Sequence, residues 1–393
     1  MKLTFPPDFV FGTSTAAYQI ETAFEHEWLG VKSKDGHIFD RTCDHEKRFV
    51  EDAAIIAHCA PAYRMSLMWS KLQRAPFAPL HPETVQEYKE FLEDLKRRGV
   101  KIMMVLHHFT NPLWFAAKGN WEQKENIAMW VDFAKKVVDE FGDYVSWWNT
   151  FNEPNVYTSG AYLLGEFPPF KQNLWKAFKV IDNLGAAHHL MYDYIKQKYP
   201  TQPVGISHNT VLFAHENLLG ILPEKISDWW FMERCLKPFA AKLDFFGMSY
   251  YCKMSHDPFP INYMDTPEKF ARYNKPHDDM WEYYPAGLGE IMERYWNQFH
   301  LPMIITESGV CTTNDKQRIG AMKDYVQVVN DCMQKGMDVR GYYWWSTFDN
   351  FEWHLGPTYR FGLYETDIET KNRTKRPSAD VYHQLAYNKT IEL

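Results

Sequence analysis

The 393-residue sequence has no apolar stretch long enough to cross a bilayer as a helix, which excludes a helical membrane-spanning protein. It has no run of Lys or Arg, and its formal net charge is -7, so no nucleic-acid-binding stripe is present. It has no Cys-x-x-Cys pair. The six cysteines, Cys43, Cys59, Cys235, Cys252, Cys311 and Cys332, are widely scattered. Reduced, mostly buried thiols are a simpler reading than a structural zinc or a disulfide framework. No Gly/Ser/Pro-rich linker divides the chain, so a single domain over 1–393 is expected. The N-terminus, Met1-Lys2-Leu3-Thr4-Phe5-Pro6-Pro7, lacks the apolar core of a secretory signal and soon enters a strand-like run, which points to the cytoplasm.

What is present is a repeated alternation. Short apolar runs predict strands at Phe9–Ser14, Ala62–Ser66, Lys101–His107, Ser146–Asn152, Val204–His208, Phe245–Tyr250, Met303–Thr306 and Gly341–Trp345. Several, such as Ile102-Met103-Met104-Val105-Leu106, are apolar without alternation, as strands covered on both faces are. Between them, apolar residues recur at helical spacing: Val85, Tyr88, Leu92 and Leu95; Ile127, Trp130, Val131, Ala134, Val138 and Phe141; Leu174, Phe178, Ile181 and Leu184; Met322, Tyr325, Val326 and Val329. Eight strand–helix units over this length predict an α/β fold, a closed (β/α)8 barrel. The least regular stretch, from Cys252 to Tyr284, reads as a long loop over the barrel mouth.

In such a barrel, functional groups sit at the C-terminal ends of the strands. The fourth run ends in Thr150-Phe151-Asn152-Glu153-Pro154 and the seventh in Thr306-Glu307-Ser308-Gly309. The eighth leads into Trp345-Ser346-Thr347-Phe348-Asp349-Asn350-Phe351-Glu352-Trp353, and the first into Ala16-Ala17-Tyr18-Gln19-Ile20-Glu21. Either glutamate alone reads as a surface acid or an ion-pair partner. Together, on the fourth and seventh strands, they face each other across the mouth and can flank a scissile bond. Glycoside hydrolysis needs such a pair, one protonated and one ionised. Aromatics reach 17% of the chain, which suits stacking on sugar faces as well as core packing.

These motifs resemble, in order and nearly end to end, those of the family 1 glycoside hydrolases, which include β-glucosidases and β-galactosidases. Phe9-Val10-Phe11-Gly12-Thr13-Ser14-Thr15-Ala16-Ala17-Tyr18-Gln19-Ile20-Glu21 is similar to the family's N-terminal signature, and Arg360-Phe361-Gly362-Leu363 closes its C-terminal sugar-binding segment. The resemblance implies a retaining exo-β-glycosidase with Glu153 as acid/base and Glu307 as nucleophile. Asn152 would bond the sugar 2-hydroxyl. Arg64 would hold Glu307 ionised, and Tyr251 would donate to it. Gln19, His108, Glu352 and Trp353 would bind the remaining hydroxyls of the −1 subsite above Trp345. The expected ligand is a small-molecule β-glycoside, with no cofactor and no metal. The chain departs from the family pattern at Phe109, where Trp is usual, and at Ser249 and Ser308, where Asn is usual. Phe109 removes an indole N–H expected at a sugar hydroxyl. A transglycosidase on the same site is the nearest rival. A non-catalytic sugar-binding relative would be expected to lose one glutamate. A phospho-sugar hydrolase would need a phosphate-binding set where this chain has Glu352-Trp353-His354-Leu355.

Overall fold

The computed structural model describes residues 2–38, 40–257 and 267–393. Eight parallel strands close into a barrel in sequence order. They are β1 (Val10–Ser14), β2 (Ala62–Ser66), β3 (Lys101–His107), β4 (Val145–Asn152), β5 (Val204–His215), β6 (Phe245–His256), β7 (Met303–Ser308) and β8 (Val339–Trp345). The helices that return the chain are α1 (Phe49–Cys59), α2 (Pro82–Arg97), α3 (Ile127–Phe141), α4 (Leu174–Lys198), α5 (Ile221–Asp228), α6 (Ala286–Phe299), α7 (Asp315–Gln334) and α8 (Pro377–Asn388). The (β/α)8 barrel expected from the alternation is therefore the fold. The termini pair with each other, Lys2–Thr4 running antiparallel to Thr390–Glu392.

The non-alternating strands are buried on both faces, β3 from Ile102 to His107 without a break. One face meets the helices. On α2, Pro82 opens the first turn, Glu83 lies at its positive end and Lys96 and Arg97 at its negative end. Its inward face carries Tyr88, Phe91, Leu92 and Leu95. The other face fills the barrel. Ala62, Met103, Phe245, Ile304 and Tyr343, from five strands, form an apolar cluster of their own. Gly12 makes room for it, because a β-carbon there would stand 2.3 Å from the Tyr343 ring. All six cysteines are buried, and they form no disulfide among the described residues.

Three expectations on the elements are revised. Strands β5 and β6 run far past their predicted ends, paired from Gly205↔Phe245 to His215↔His256, so this pair projects above the mouth. The stretch expected to be one long loop thus begins as strand. It also contains a helix, Pro267–Tyr273, while residues 258–266 lie outside the described residues. On α4 the predicted apolar face holds from Ile181 onward, but Leu174 is half exposed.

Trp130 of α3 stacks on Phe151 of β4 with ring centroids 4.5 Å apart. It is fully buried and supports the strand that ends at Glu153. Trp130→Ala should cost about 3–5 kcal/mol of stability. Denaturant melts of the two proteins measure this, and an unchanged midpoint would count against the packing described.

Candidate active site

The sequence-predicted residues converge at the C-terminal ends of the strands. Arg64, on β2, is fully buried. Its Nη1 donates to Glu307 Oε1 on β7, and its Nη2 donates to Asn152 Oδ1 on β4 (2.5 Å) and to Ser207 Oγ on β5 (3.0 Å). A buried guanidinium without such partners would be strongly destabilising. Tyr251, on β6, donates from its hydroxyl to the other oxygen of Glu307 at 2.8 Å. Burial raises the Glu307 carboxyl, while Arg64 and Tyr251 pull it back down.

Glu153 has a different environment. Its φ of 39° is left-handed, which a non-glycine residue adopts at a cost. Pro154 behind it disfavours the right-handed region for this residue. The backbone N–H of Glu153 donates to Ser207 O at 2.7 Å, which anchors the turn. Its carboxyl accepts from Asn209 Nδ2 at 2.8 Å and makes no ion pair among the described residues. Burial first, and then the charge of Glu307, push it up to about 8. The two carboxyls thus differ in what opposes the effect of burial: Glu307 has a bonded cation and Glu153 has none.

The sugar-binding candidates form an adjoining wall. Gln19 Nε2 donates to Asn350 Oδ1, Phe351 O and Glu352 Oε2 at 3.0–3.2 Å, leaving its Oε1 without a protein partner. Asn152 Nδ2 donates to His108 Nε2 at 2.9 Å. The imidazole proton therefore lies on Nδ1, which has no protein partner. Burial, then Arg64, holds His108 neutral. Glu352 is pushed up to about 8 by burial and by Glu307 and Glu153, with Gln19 opposing. Trp353 stacks on Tyr18 (5.4 Å, 9°) and lies 5.8 Å from His108, while Trp345 lies 6.2 Å from His108. Phe109 packs 4.9 Å from Trp353 and 5.6 Å from Phe167. Phe109 and Trp353 have φ of 64° and 43°, so three of the predicted site residues occupy left-handed backbone.

Comparison with known proteins decides the affiliation. The family model for glycosyl hydrolase family 1 matches residues 1–216 and 224–391. The chain belongs to this family. A β-glucosidase from Agrobacterium is 29% identical over 97% of this chain and 95% of its own length. A 6-phospho-β-galactosidase from Clostridium acetobutylicum is 26% identical over 98% of each. The β-glycosidase of Pyrococcus horikoshii superposes with a TM-score of 0.88 at 30% identity, covering 100% of this chain and 97% of that one. The protein is a glycoside hydrolase of the β-glucosidase and β-galactosidase group.

This family 1 barrel also contains polar residues that the sequence reading did not single out. Ser207 Oγ accepts from Arg64 and Asn149 and donates to Thr306 Oγ1 at 2.7 Å, and Thr306 passes the chain on to Met248 O. Asn209, bonded to Glu153, is held by Asn155, whose Nδ2 donates to Asn209 O at 2.8 Å and whose Oδ1 accepts from Asn209 N at 3.2 Å. A signal for Asn209 exists: it is a polar residue at the end of an apolar strand, but that strand is predicted to stop at His208. The close packing behind the nucleophile motif is also specific. A β-carbon on Gly309 would lie 2.0 Å from Trp345 O, so the segment after Glu307 lies directly against the end of β8.

Proposed function

We propose that the protein is a retaining exo-β-glycosidase acting on neutral β-glucosides, with β-galactosides and β-fucosides as further substrates. Glu307 attacks the anomeric carbon while Glu153 donates its proton to the departing oxygen. Water, deprotonated by Glu153, then releases the sugar from Glu307. The observation that supports this assignment is the unequal treatment of the two glutamates, with Arg64 and Tyr251 on Glu307 and neither on Glu153. Once Glu307 is esterified its charge is gone, and the Glu153 pKa falls, which suits its second role as base.

The experiment is to replace each glutamate and identify products. Glu307→Ala should almost abolish hydrolysis of every substrate. Glu153→Ala should slow a poor leaving group ~10²–10⁴-fold more than a good one. Azide should restore turnover in both, giving the β-glycosyl azide with Glu153→Ala and the α-azide with Glu307→Ala. The opposite pairing of anomers would reverse the roles, and undiminished activity in both variants would discard the site. Appearance of the α-anomer first from a β-glycoside, followed by NMR, would discard retention.

The electrostatics set a pH profile. Glu153 must be protonated in the free enzyme, and its carboxyl is held up to about 8. Because the raised group works as an acid, kcat/KM should be retained below that value and lost as pH rises through it. Glu307 must be ionised, so activity should also fall on the acid side. An alkaline limb that persists unchanged in Glu153→Gln, measured on an activated substrate, would assign the limb to another group.

Specificity follows from the wall around Gln19 and Glu352. Glu352 is pushed up to about 8, so it carries a proton through much of the neutral range and can donate as well as accept. His354 is lowered to about 4, chiefly by burial, and adds no charge. Both terminal nitrogens of Arg64 are already bonded, to Glu307, Asn152 and Ser207. Among the described residues the wall therefore offers neutral hydroxyls hydrogen-bond partners, while the lysine beside His354, Lys34, is paired with Glu166. On a panel of aryl β-glycosides, glucoside should turn over faster than 6-phosphoglucoside, and the reverse order would overturn the reading of this wall.

A further inference from the structure

Helix α5 is unusual for a barrel helix, because none of its residues is buried. It leaves the projecting ends of β5 and β6, and Leu222, Ile226 and Trp229, spaced on one face, point outward at 66%, 55% and 46% exposure. Leu218, just before it, is 82% exposed. The stripe continues onto the first turns of α4 through Phe178, whose ring lies 6.3 Å from Trp229 and 6.1 Å from Trp175. Trp175 is 80% exposed and Leu174 50%. Scattered apolar side chains need no explanation, but a stripe of seven large ones does.

The charges along the stripe choose among partners. Every acid on α4, on α5 and on the turn Trp229–Arg234 has a bonded partner: Asp182 pairs with Arg234, Asp193 with Lys242, and Asp228 and Glu233 with Arg294, while Glu224 is bonded to the His215 ring. Lys179, Lys225 and Lys237 are exposed and have no partner among the described residues. A protein whose overall charge is -7 thus presents only unpaired cations beside its most exposed apolar residues. Leu and Trp on one face, with lysines flanking them, are what an interfacial helix needs to enter the headgroup region of an anionic bilayer. A two-fold contact with a second copy would bring the same unpaired lysines towards each other. From these features we infer that the α4–α5 rim of the barrel mouth is a peripheral docking surface for anionic lipid bilayers.

The test uses the full chain with phosphatidylcholine vesicles, with and without a third of phosphatidylglycerol. The protein should co-sediment with the anionic vesicles and weakly with the neutral ones, and brominated lipid should quench tryptophan fluorescence. Trp175→Ser combined with Leu222→Ser should weaken sedimentation about tenfold or more on both vesicle types. Lys179→Glu and Lys225→Glu should each weaken it about fivefold on the anionic vesicles alone. Thermal midpoint and turnover of a soluble aryl glycoside should be unchanged in all variants, since none of these residues belongs to the site. Absence of co-sedimentation, or equal sedimentation of wild type and variants, overturns the inference. So does a dimer, seen by sedimentation equilibrium without lipid, that Trp175→Ser with Leu222→Ser dissociates, because the stripe would then be an interface between copies.

Discussion

The site depends on one buried charge. Arg64 carries its guanidinium inside the barrel with no exposure to solvent. The cost of dehydrating it is offset only if its donors are met. One meets Glu307, and two contacts from Nη2 meet Asn152 and Ser207. Those partners come from β7, β4 and β5, so a single side chain fixes the relative positions of three strand ends. The same bonds orient Asn152, whose amide N–H in turn fixes the tautomer of His108. Much of the wall proposed to face the sugar is therefore set by the requirement to satisfy one cation.

A second constraint follows from the first. Three carboxyl groups, Glu153, Glu307 and Glu352, are buried together: Glu307 raises the pKa of the other two, Glu153 raises Glu352 further, and among the described residues only Glu307 has a cation bonded to it. They cannot all be ionised together. Arg64 and Tyr251 favour the anion of Glu307, whereas Glu153 and Glu352 are pushed up to about 8. Under the proposed roles, esterification of Glu307 removes the charge that both neighbours feel. The acid then becomes a usable base, and Glu352 becomes a better acceptor at the moment when the sugar is covalently held. One ion pair thus couples protonation at the reacting bond to hydrogen bonding at the far side of the ring.

The fold and the placement of Glu153 and Glu307 at the barrel mouth were readable from sequence because each rests on a local pattern. Eight apolar runs with helical spacing between them specify the barrel, and a glutamate after the fourth and seventh runs falls on the mouth. Glu153 carried a further cue, since Pro154 narrows its backbone to the conformations compatible with a turn. Other features have no local pattern. Ser207 is one serine in an apolar strand, and its bonds to Arg64, Asn149 and Thr306 appear only when four strands close. The left-handed backbone at Phe109 and Trp353 is imposed by packing, as neither residue type favours it. The continuation of β5 through Thr210-Val211-Leu212-Phe213-Ala214-His215 is hidden because the run resembles a buried helix segment as much as a strand, and only its partner β6 decides. The exposed first turn of α4 is the sharpest departure, since its spacing predicts burial and no described element covers it.

Phe109 shows how a departure from the family pattern is absorbed. A tryptophan there would present an N–H to the sugar, whereas Phe109 offers only ring surface. Its left-handed φ turns the ring into a layer with Trp353, Phe167 and Tyr157, at 4.9, 5.6 and 6.3 Å, instead of leaving it alone in the cavity. That layer supports Trp353 from behind, and Trp353 is further fixed by stacking on Tyr18. The lost donor is not replaced at the same place. What remains on this wall is the Nδ1–H of His108, Gln19 Oε1 and the partly protonated Glu352. Each of these can serve more than one hydroxyl orientation, since His108 donates, Gln19 accepts and Glu352 does both. A site that recognises the glycone with fewer fixed donors penalises inversion of a single hydroxyl less, because fewer buried groups are left unpaired when the hydroxyl turns away. Under the proposed function, Phe109 therefore favours a broad neutral-glycone preference over a strict one, its ring being held in the layer with Trp353, Phe167 and Tyr157.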